Sequence, residues 1–349
     1  MVKAGPDEKV YPVVKIAMVV NALAAEGVAL KDALAGVAIS KEALSSPATR
    51  VSLNEVVRCY GNAARLSRDP RFAYHVGLKF HVSTYGMYGF AILSSANFRQ
   101  TMQFAVRYHQ LATPVAEISF KEERQRGVWT IAPIAHPRID AVLYRFIVEM
   151  QFGIHVSLHR DIMGPAFRPR ELTVTYGPPV DAQHYRQAFE SDVRFDRPDN
   201  RLMFDARLLD GAPDLGAEIT YAELVKLCDG LMEEMQLHAG LAGKVRKILL
   251  VNSARPAGVK VVAQRLHMTA RTLRRKLRAE KTSFRKVTDE LKMSMAIKYL
   301  RDTELTVDEI AHLLGYGDTA NFRRAFRRWT KRGPLEFRGL SRRVGRAAA

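Results

Sequence analysis

Cysteine is nearly missing from this chain. Only Cys59 and Cys228 occur, far apart and in no C-x-x-C pair, which argues against both a disulfide framework and a cysteine-based zinc cluster. Uninterrupted apolar runs of about 18 residues are missing as well, so no transmembrane helix is predicted. The apolar stretch near the start is broken by Lys15 and followed by Asn21 and Glu26, a poor match to a secretory leader, and the expected location is the cytoplasm, without membrane association. Also missing are the nucleophile elbow G-x-S-x-G, the P-loop and G-x-G-x-x-G. Ser283 and Lys286 satisfy S-x-x-K, but the accompanying Ser-Asp-Asn and Lys-Thr-Gly are not there, so a helix cap is the simpler reading. His155 and His159 stand four apart, a spacing that puts two imidazoles on one helical face. No third ligand is evident, and apolar neighbours Ile154, Val156 and Leu158 suit two packed structural histidines. No catalytic residue, metal or cofactor is expected, and the chain is not read as an enzyme.

What is present is charge, unevenly placed. Residues 241–349 hold 27 Lys and Arg against 9 Asp and Glu, which accounts for the whole net charge of +18. The first 240 residues are balanced. A basic module attached to a neutral domain points to a polyanion partner. The length allows about two domains with proper cores.

The N-terminal part mixes helical and strand patterns. Helices are predicted near 10–25, 52–67, 97–111, 137–161 and 216–237. "PVAEISF" and "GVWTIAP" read as a hairpin around a charged turn, Lys121–Arg126, and short strands follow near 171–176, 193–196 and 201–205. This is an α+β pattern. "HAGLAG" (238–243) reads as a linker of small residues, with residues 1–237 before it. Residues 244–340 are predicted all helical, and 341–349 form a basic, alanine-rich tail.

The helical region contains a repeat. Ala263, Leu266, Leu273 and Leu277 in "AQRLHMTARTLRRKLR" correspond to Ala311, Leu314, Phe322 and Phe326 in "AHLLGYGDTANFRRAFR", at offsets of 48, 48, 49 and 49. The extra residue falls in the turn. Each copy reads as helix, turn, helix. Thr269 and Asp318 are placed to cap the second helices, Thr306 with Glu309 makes a capping box, and Gly315 supplies a left-handed helix end. "SFRKVTDELKMSMAIKYLRDT" between the copies reads as one connecting helix. Two recognition helices spaced by about one DNA turn can enter successive major grooves. In "NFRRAFRRW", Phe322, Phe326 and Trp329 form a stripe for burial. Arg323, Arg324, Arg327 and Arg328 beside it have no acid among them, although like charges on one helix face repel. Such a face is made to meet an anion.

The last hundred or so residues resemble the DNA-binding domain of the AraC/XylS (arabinose-regulator) transcription factors. Ile310-Ala311, Leu314-Gly315-Tyr316, Phe322 to Phe326, Pro334 and Phe337-Arg338 match the family signature. "WTKRGP" departs from it: the family has Gly directly after the Thr, where this chain has Lys331, with Gly333 two places on. The resemblance implies base contacts from Arg271, Arg274 and Arg275 in the first motif and from Thr319, Asn321 and Arg324 in the second. Arg323, Arg327 and Arg328 would lie at phosphates. The same positions avoid both apolar stripes, and Arg suits guanine as Asn suits adenine. More diffusely, "GMYGFAILSSANFRQTMQFAVRYHQL" (86–111) and "VRFDRPDNRLMFDARLLD" (193–210) resemble the arabinose-binding-type effector and dimerisation domain of one branch. That implies a small-molecule effector, a homodimer on operator half-sites in double-stranded DNA, and RNA polymerase as a further partner.

Aromatic and arginine side chains on segments predicted to surround a cavity are candidates for the effector site: Tyr85, Tyr88, Arg107, Tyr108, Trp129 and Arg145. Two rival functions stay open at this level. One is a non-specific DNA architectural protein; the other is an enzyme localised by its basic module.

Overall fold

The computed structural model describes residues 5–112, 115–178, 182–238, 240–250, 257–280 and 282–338; the tail at 341–349 lies outside them. The chain divides into two compact units, Gly5–Glu234 and Met235 onward.

The N-terminal unit begins with α1 (Val14–Ala25), short α2 (Leu30–Ala33) and α3 (Lys41–Leu44), and a small ribbon pairing β1 (Tyr11–Pro12) with β2 (Arg50–Val51). Helices α4 (Leu53–Leu66), α5 (Phe72–Leu78), α6 (Met87–Leu93) and α7 (Phe98–Ala112) follow, with a 3-10 turn at Val82–Tyr85 before α6. Ser52 and Glu55 start α4 with a capping box: the Ser52 N–H donates to Glu55 Oε2 at 2.8 Å and the Glu55 N–H to Ser52 Oγ at 3.2 Å.

A five-stranded sheet completes the unit, in the order β3 (Ala116–Glu123), β4 (Arg126–Pro133), β7 (Arg201–Asp205), β5 (Glu171–Thr173), β6 (Asp192–Arg194). All pairs are antiparallel except β5 with β6. The hairpin turn is tighter than the charged stretch suggested. Glu123 pairs with Arg126, leaving Arg124 and Gln125 as the two turn residues at φ 45° and 65°. Both being left-handed is the type I′ geometry that matches strand twist.

Helix α8 (Ala141–Met163) is the buried centre. Asp140 caps its first turn, accepting from the Leu143 N–H at 2.9 Å. Its apolar residues run round the whole circumference, as they do when a helix is covered on all sides. It crosses α5 at a pair of facing glycines. A Cβ on Gly153 would stand 2.5 Å from the Tyr74 carbonyl oxygen, and Gly77 sits against the same crossing. Helix α9 (Ala182–Phe189) lies between β5 and β6, and α10 (Glu218–His238) runs across the boundary at Glu234.

From Met235 onward, α11 (Gly240–Leu250), α12 (Val259–Arg265), α13 (Ala270–Ala279), α14 (Phe284–Asp302), α15 (Val307–Leu313) and α16 (Thr319–Thr330) follow, with residues 334–338 also helical. Residues 240–243 are therefore not linker but the first turn of α11. The Glu280 carboxylate accepts from the Leu241 and Ala242 N–H groups at 2.8 and 3.0 Å, satisfying donors that a helix start leaves open, and Ala242 is buried in the first motif's core. Val245, Leu249, Val262, Ala263, Leu273, Leu277 and Val287 form that core. Ala296, Leu300, Ile310, Ala311, Leu314, Phe322 and Phe326 form a second one.

Replacing Gly153 by Ala forces α5 and α8 apart at backbone level. We expect a loss of about 1–3 kcal/mol, the range for overpacking a tight core, measured as a lower urea midpoint.

Candidate DNA-reading faces and effector cavity

The two helix-turn-helix copies close by the same bonds. In the first, the His267 and Met268 N–H groups donate to the Gln264 and Ala263 carbonyls; in the second, those of Gly315 and Tyr316 donate to the His312 and Ala311 carbonyls. His267 and Gly315 both take the left-handed conformation, at φ 53° and 69°. Thr269 caps α13 through the Thr272 N–H at 3.1 Å, and Asp318 caps α16 through the Asn321 N–H at 2.6 Å. The Thr306–Glu309 box opens α15, and Ser283 caps α14 by accepting from Lys286, so the S-x-x-K stretch begins a helix.

On α13 the burial of Leu273 and Leu277 turns Arg271, Arg274 and Arg275 to solvent. Arg278, seven residues after Arg271, extends this exposed stripe and was missed in sequence, although the same spacing argument finds it. On α16, Phe322, Ala325 and Phe326 are buried, Trp329 only half so, and Asn321, Arg323, Arg324, Arg327 and Arg328 are exposed. Thr319 is half-buried.

Their engagement differs. The side chains of Arg271, Arg274, Arg275, Arg323 and Arg327 make no hydrogen bond or ion pair among the described residues. Arg328 reaches Asp289 on α14 at 3.4 Å, Arg324 donates to the Asn321 amide oxygen at 2.7 Å, and Asn321 donates to Asp318 at 2.5 Å. The Thr319 hydroxyl is held by Asp308. Lys331 ends α16 at φ 62°, its N–H donating to the Arg327 carbonyl at 2.9 Å. A lysine thus takes the left-handed cap for which the family has glycine. Phe337 packs on Phe326 and Arg338 donates to the Leu300 carbonyl at 3.2 Å, so the terminal aromatic-Arg pair fastens the motif to α14.

The N-terminal unit contains a cavity of about 40 Å³ between the 3-10 turn, α6, α7, β3, β4 and α8. Tyr85, Tyr88 and Trp129 line it; Arg107, Tyr108 and Arg145 do not. The three that miss it are committed to carboxylates elsewhere. Arg107 and the Tyr108 hydroxyl both reach Asp229 on α10, at 2.9 and 2.7 Å, and Arg145 pairs with Glu149 one turn on. Sequence reasoning missed His155 and His159 as cavity residues. Trp129 Nε1 donates to His159 Nε2 at 3.2 Å, while each imidazole Nδ1 donates to the carbonyl four residues back, at 2.8 Å for His155 and 2.7 Å for His159. Burial pushes their pKa values down to about 4 and about 3, so both rings are neutral at pH 7. Lys15, the residue that broke the apolar run, is 2% exposed, and burial lowers its ammonium to about 7. Among the described residues no group of three or more His, Cys, Asp or Glu is placed to hold a metal, and no helix is long and apolar enough to cross a membrane.

These features define a class: a double helix-turn-helix DNA-binding module joined to a separate α+β domain. Residues 27–212 match the family model described as the arabinose-binding domain of AraC transcription regulator, N-terminal, and residues 262–339 match a helix-turn-helix domain model. The chain belongs to the AraC family of transcription regulators and is not an enzyme. It is 27% identical over 330 residues to the ornithine utilization regulator of Pseudomonas aeruginosa, covering 95% of this chain and 96% of that one. It is 29% identical to an HTH-type transcriptional regulator of Mycobacterium tuberculosis, covering 95% and 97%. The crystal structure of the transcriptional regulator CdpR from Pseudomonas aeruginosa aligns over 92% of this chain and 96% of its own, at 22% identity and a TM-score of 0.49.

Two measurements test this geometry. Lys331→Gly relieves a left-handed lysine and is expected to stabilise the C-terminal unit by about 1 kcal/mol, seen as a higher melting temperature. The buried histidines give an acid-side dependence. An imidazole held at about 4 when folded, but near 6.5 when unfolded, binds its proton preferentially in the unfolded chain. Stability is therefore complete above pH 6.5 and falls as pH drops through the folded values, by about 3 kcal/mol for His155. His159→Gln keeps an acceptor for Trp129 but does not titrate, so its urea midpoint should fall less steeply than the parent's between pH 6.5 and 4.

Proposed function

We propose that this AraC-type regulator binds DNA sequence-specifically and is controlled by a small-molecule effector held in its N-terminal unit, acting in the cytoplasm as a homodimer on promoter half-sites and engaging RNA polymerase there. The observation that carries the reading is the pair of exposed basic faces on α13 and α16, anchored to one connecting helix. Arg271, Arg274 and Arg275 are free to reach guanine edges in the major groove. Arg323 and Arg327 flank the second reading face and are assigned to phosphates. Thr319, Asn321 and Arg324 read bases after exchanging their present bonds, and Arg328 reaches a phosphate after leaving Asp289. The effector acts only through a difference in its affinity for two arrangements of the protein. Cavity residues Tyr85, Tyr88 and Trp129 belong to its site on this reading.

Selection of bound fragments from sheared genomic DNA at about physiological salt tests it. A few enriched upstream regions, sharing elements about one helical turn apart, are expected; recovery of the genome at random would make it an architectural protein instead. On an enriched fragment, Arg274→Ala should cost about 1–3 kcal/mol and relax preference at one base position. Arg327→Ala should weaken all sequences alike and lower the salt slope by about 1. Identical behaviour of the two variants would overturn the assignment of faces.

A further inference from the structure

Behind Tyr85, in the wall of the apolar cavity, lie buried polar groups that the regulator reading leaves unexplained. Lys15 comes from α1, and its Nζ donates to the Tyr85 hydroxyl at 3.1 Å. The ammonium also stands 4.8 Å from the Phe80 ring centroid and 5.2 Å from that of Tyr85. Among the described residues no carboxylate lies within ion-pair distance of it. A buried ammonium without an anion is costly, because water has been removed and no opposite charge replaces it.

Two further buried side chains are left wanting beside it. The Gln151 amide has no partner for either its oxygen or its nitrogen, and the Tyr60 hydroxyl has none; both residues are 0% exposed. Gln151 continues the α8 face that lines the cavity, since 151, 154, 155, 158, 159 and 162 follow helical spacing. Lys15 is near enough to His155 to disfavour its protonation, and Tyr60 near enough to Tyr85 to disfavour its ionisation. Lys15 is bonded to Tyr85 in the cavity wall, Gln151 stands one turn before His155 on α8, and Tyr60 comes from α4, which packs on both α1 and α8. The remaining wall is apolar, with Ile92, Met102, Ile118, Leu158 and Ile162.

We infer that this site takes an organic monocarboxylate with an apolar body, the carboxylate accepting from Lys15 Nζ, Gln151 Nε2 and the Tyr60 hydroxyl. The inference deepens the effector reading above and rests on it. One cation with neutral donors suits a single negative charge; a phosphate dianion would need a second cation, and Arg107 is taken up by Asp229. At about 40 Å³ the cavity holds little more than water, so the ligand enters by displacing the wall. We assign that movement to Val82–Leu93, a 3-10 turn and a short helix that meet at Gly86 and carry Tyr85 and Tyr88.

The test uses the full-length protein with octanoate and 3-phenylpropanoate, each against its neutral alcohol, and with octylamine. Binding is read by calorimetry and by the fluorescence of Trp129 in the cavity wall. At least one carboxylate should bind tenfold or more tightly than its alcohol, and octylamine should not bind. Lys15→Met should bring that carboxylate down to the affinity of its alcohol without lowering the melting temperature. Gln151→Leu, a milder change, should weaken it several-fold. Failure of both carboxylates to bind, equal binding of acid and alcohol, or unchanged binding by Lys15→Met would each overturn the inference. Affinity for an enriched genomic fragment is measured alongside. If a carboxylate binds through Lys15 but leaves DNA affinity unchanged, the site stands and effector control fails. If an alcohol or the amine alters DNA affinity and the carboxylates do not, effector control stands and the carboxylate site fails.

Discussion

Helix α14 has to belong to two cores at once, and the DNA-binding unit depends on that constraint. Val287 and Leu291 sit in the first motif's core, and Ala296 and Leu300 in the second's. Each pair member is separated from its counterpart by nine residues, which is two and a half turns of α-helix. The two cores therefore occupy opposite sides of one rod, displaced along it by about 13 Å. A helix that is apolar on two opposite faces shows little one-sided amphipathicity, and α14 looks unremarkable as a sequence for that reason. Its rigidity fixes the spacing and rotational phase of α13 and α16 together. A single insertion in α14 would rotate one reading face by about 100° against the other.

The N-terminal unit solves a different problem. Its charge is balanced overall, yet its central helix carries Glu149, Gln151, His155 and His159 into the interior. Burial keeps the two imidazoles neutral, and each is tied by Nδ1 to the turn before it. Lys15 and Gln151 have no comparable arrangement. Unsatisfied polar groups in an otherwise well-packed interior are a cost that packing elsewhere must offset, here including the glycine crossing of α5 and α8.

Much of the C-terminal unit was legible because its signals are local. The stripes Leu273/Leu277 and Phe322/Phe326, the caps Thr269 and Asp318, and the Thr306–Glu309 box all act within one helical turn. The start of α11 was not legible, because the carboxylate that caps Gly240–Gly243 belongs to Glu280, about forty residues further on. Small residues with no nearby cap read as a linker. The same distance problem misplaced Arg107 and Tyr108 around the cavity, whereas Arg145 is held by Glu149 one turn on. Asp229, which holds the first two, is more than a hundred residues away in sequence. Lys15 was visible only as a break in an apolar run; that it is buried depends on residues brought over it by the fold.

The reading faces are unequal in a way that bears on mechanism. The arginines of α13 have no internal bond to break before they meet DNA. On α16, Asn321 lies between Asp318 and Arg324, the Thr319 hydroxyl is held by Asp308, and Arg328 leans on Asp289. These bonds are exposed, and each is worth no more than about 1 kcal/mol. A base edge or phosphate that matches displaces them at little cost, whereas one that does not match leaves them in place. On the proposed assignment, the first motif would read bases through arginines that have no internal bond to give up. The second would add discrimination at Thr319, Asn321 and Arg324, whose polar groups already have alternatives that a wrong sequence cannot outcompete.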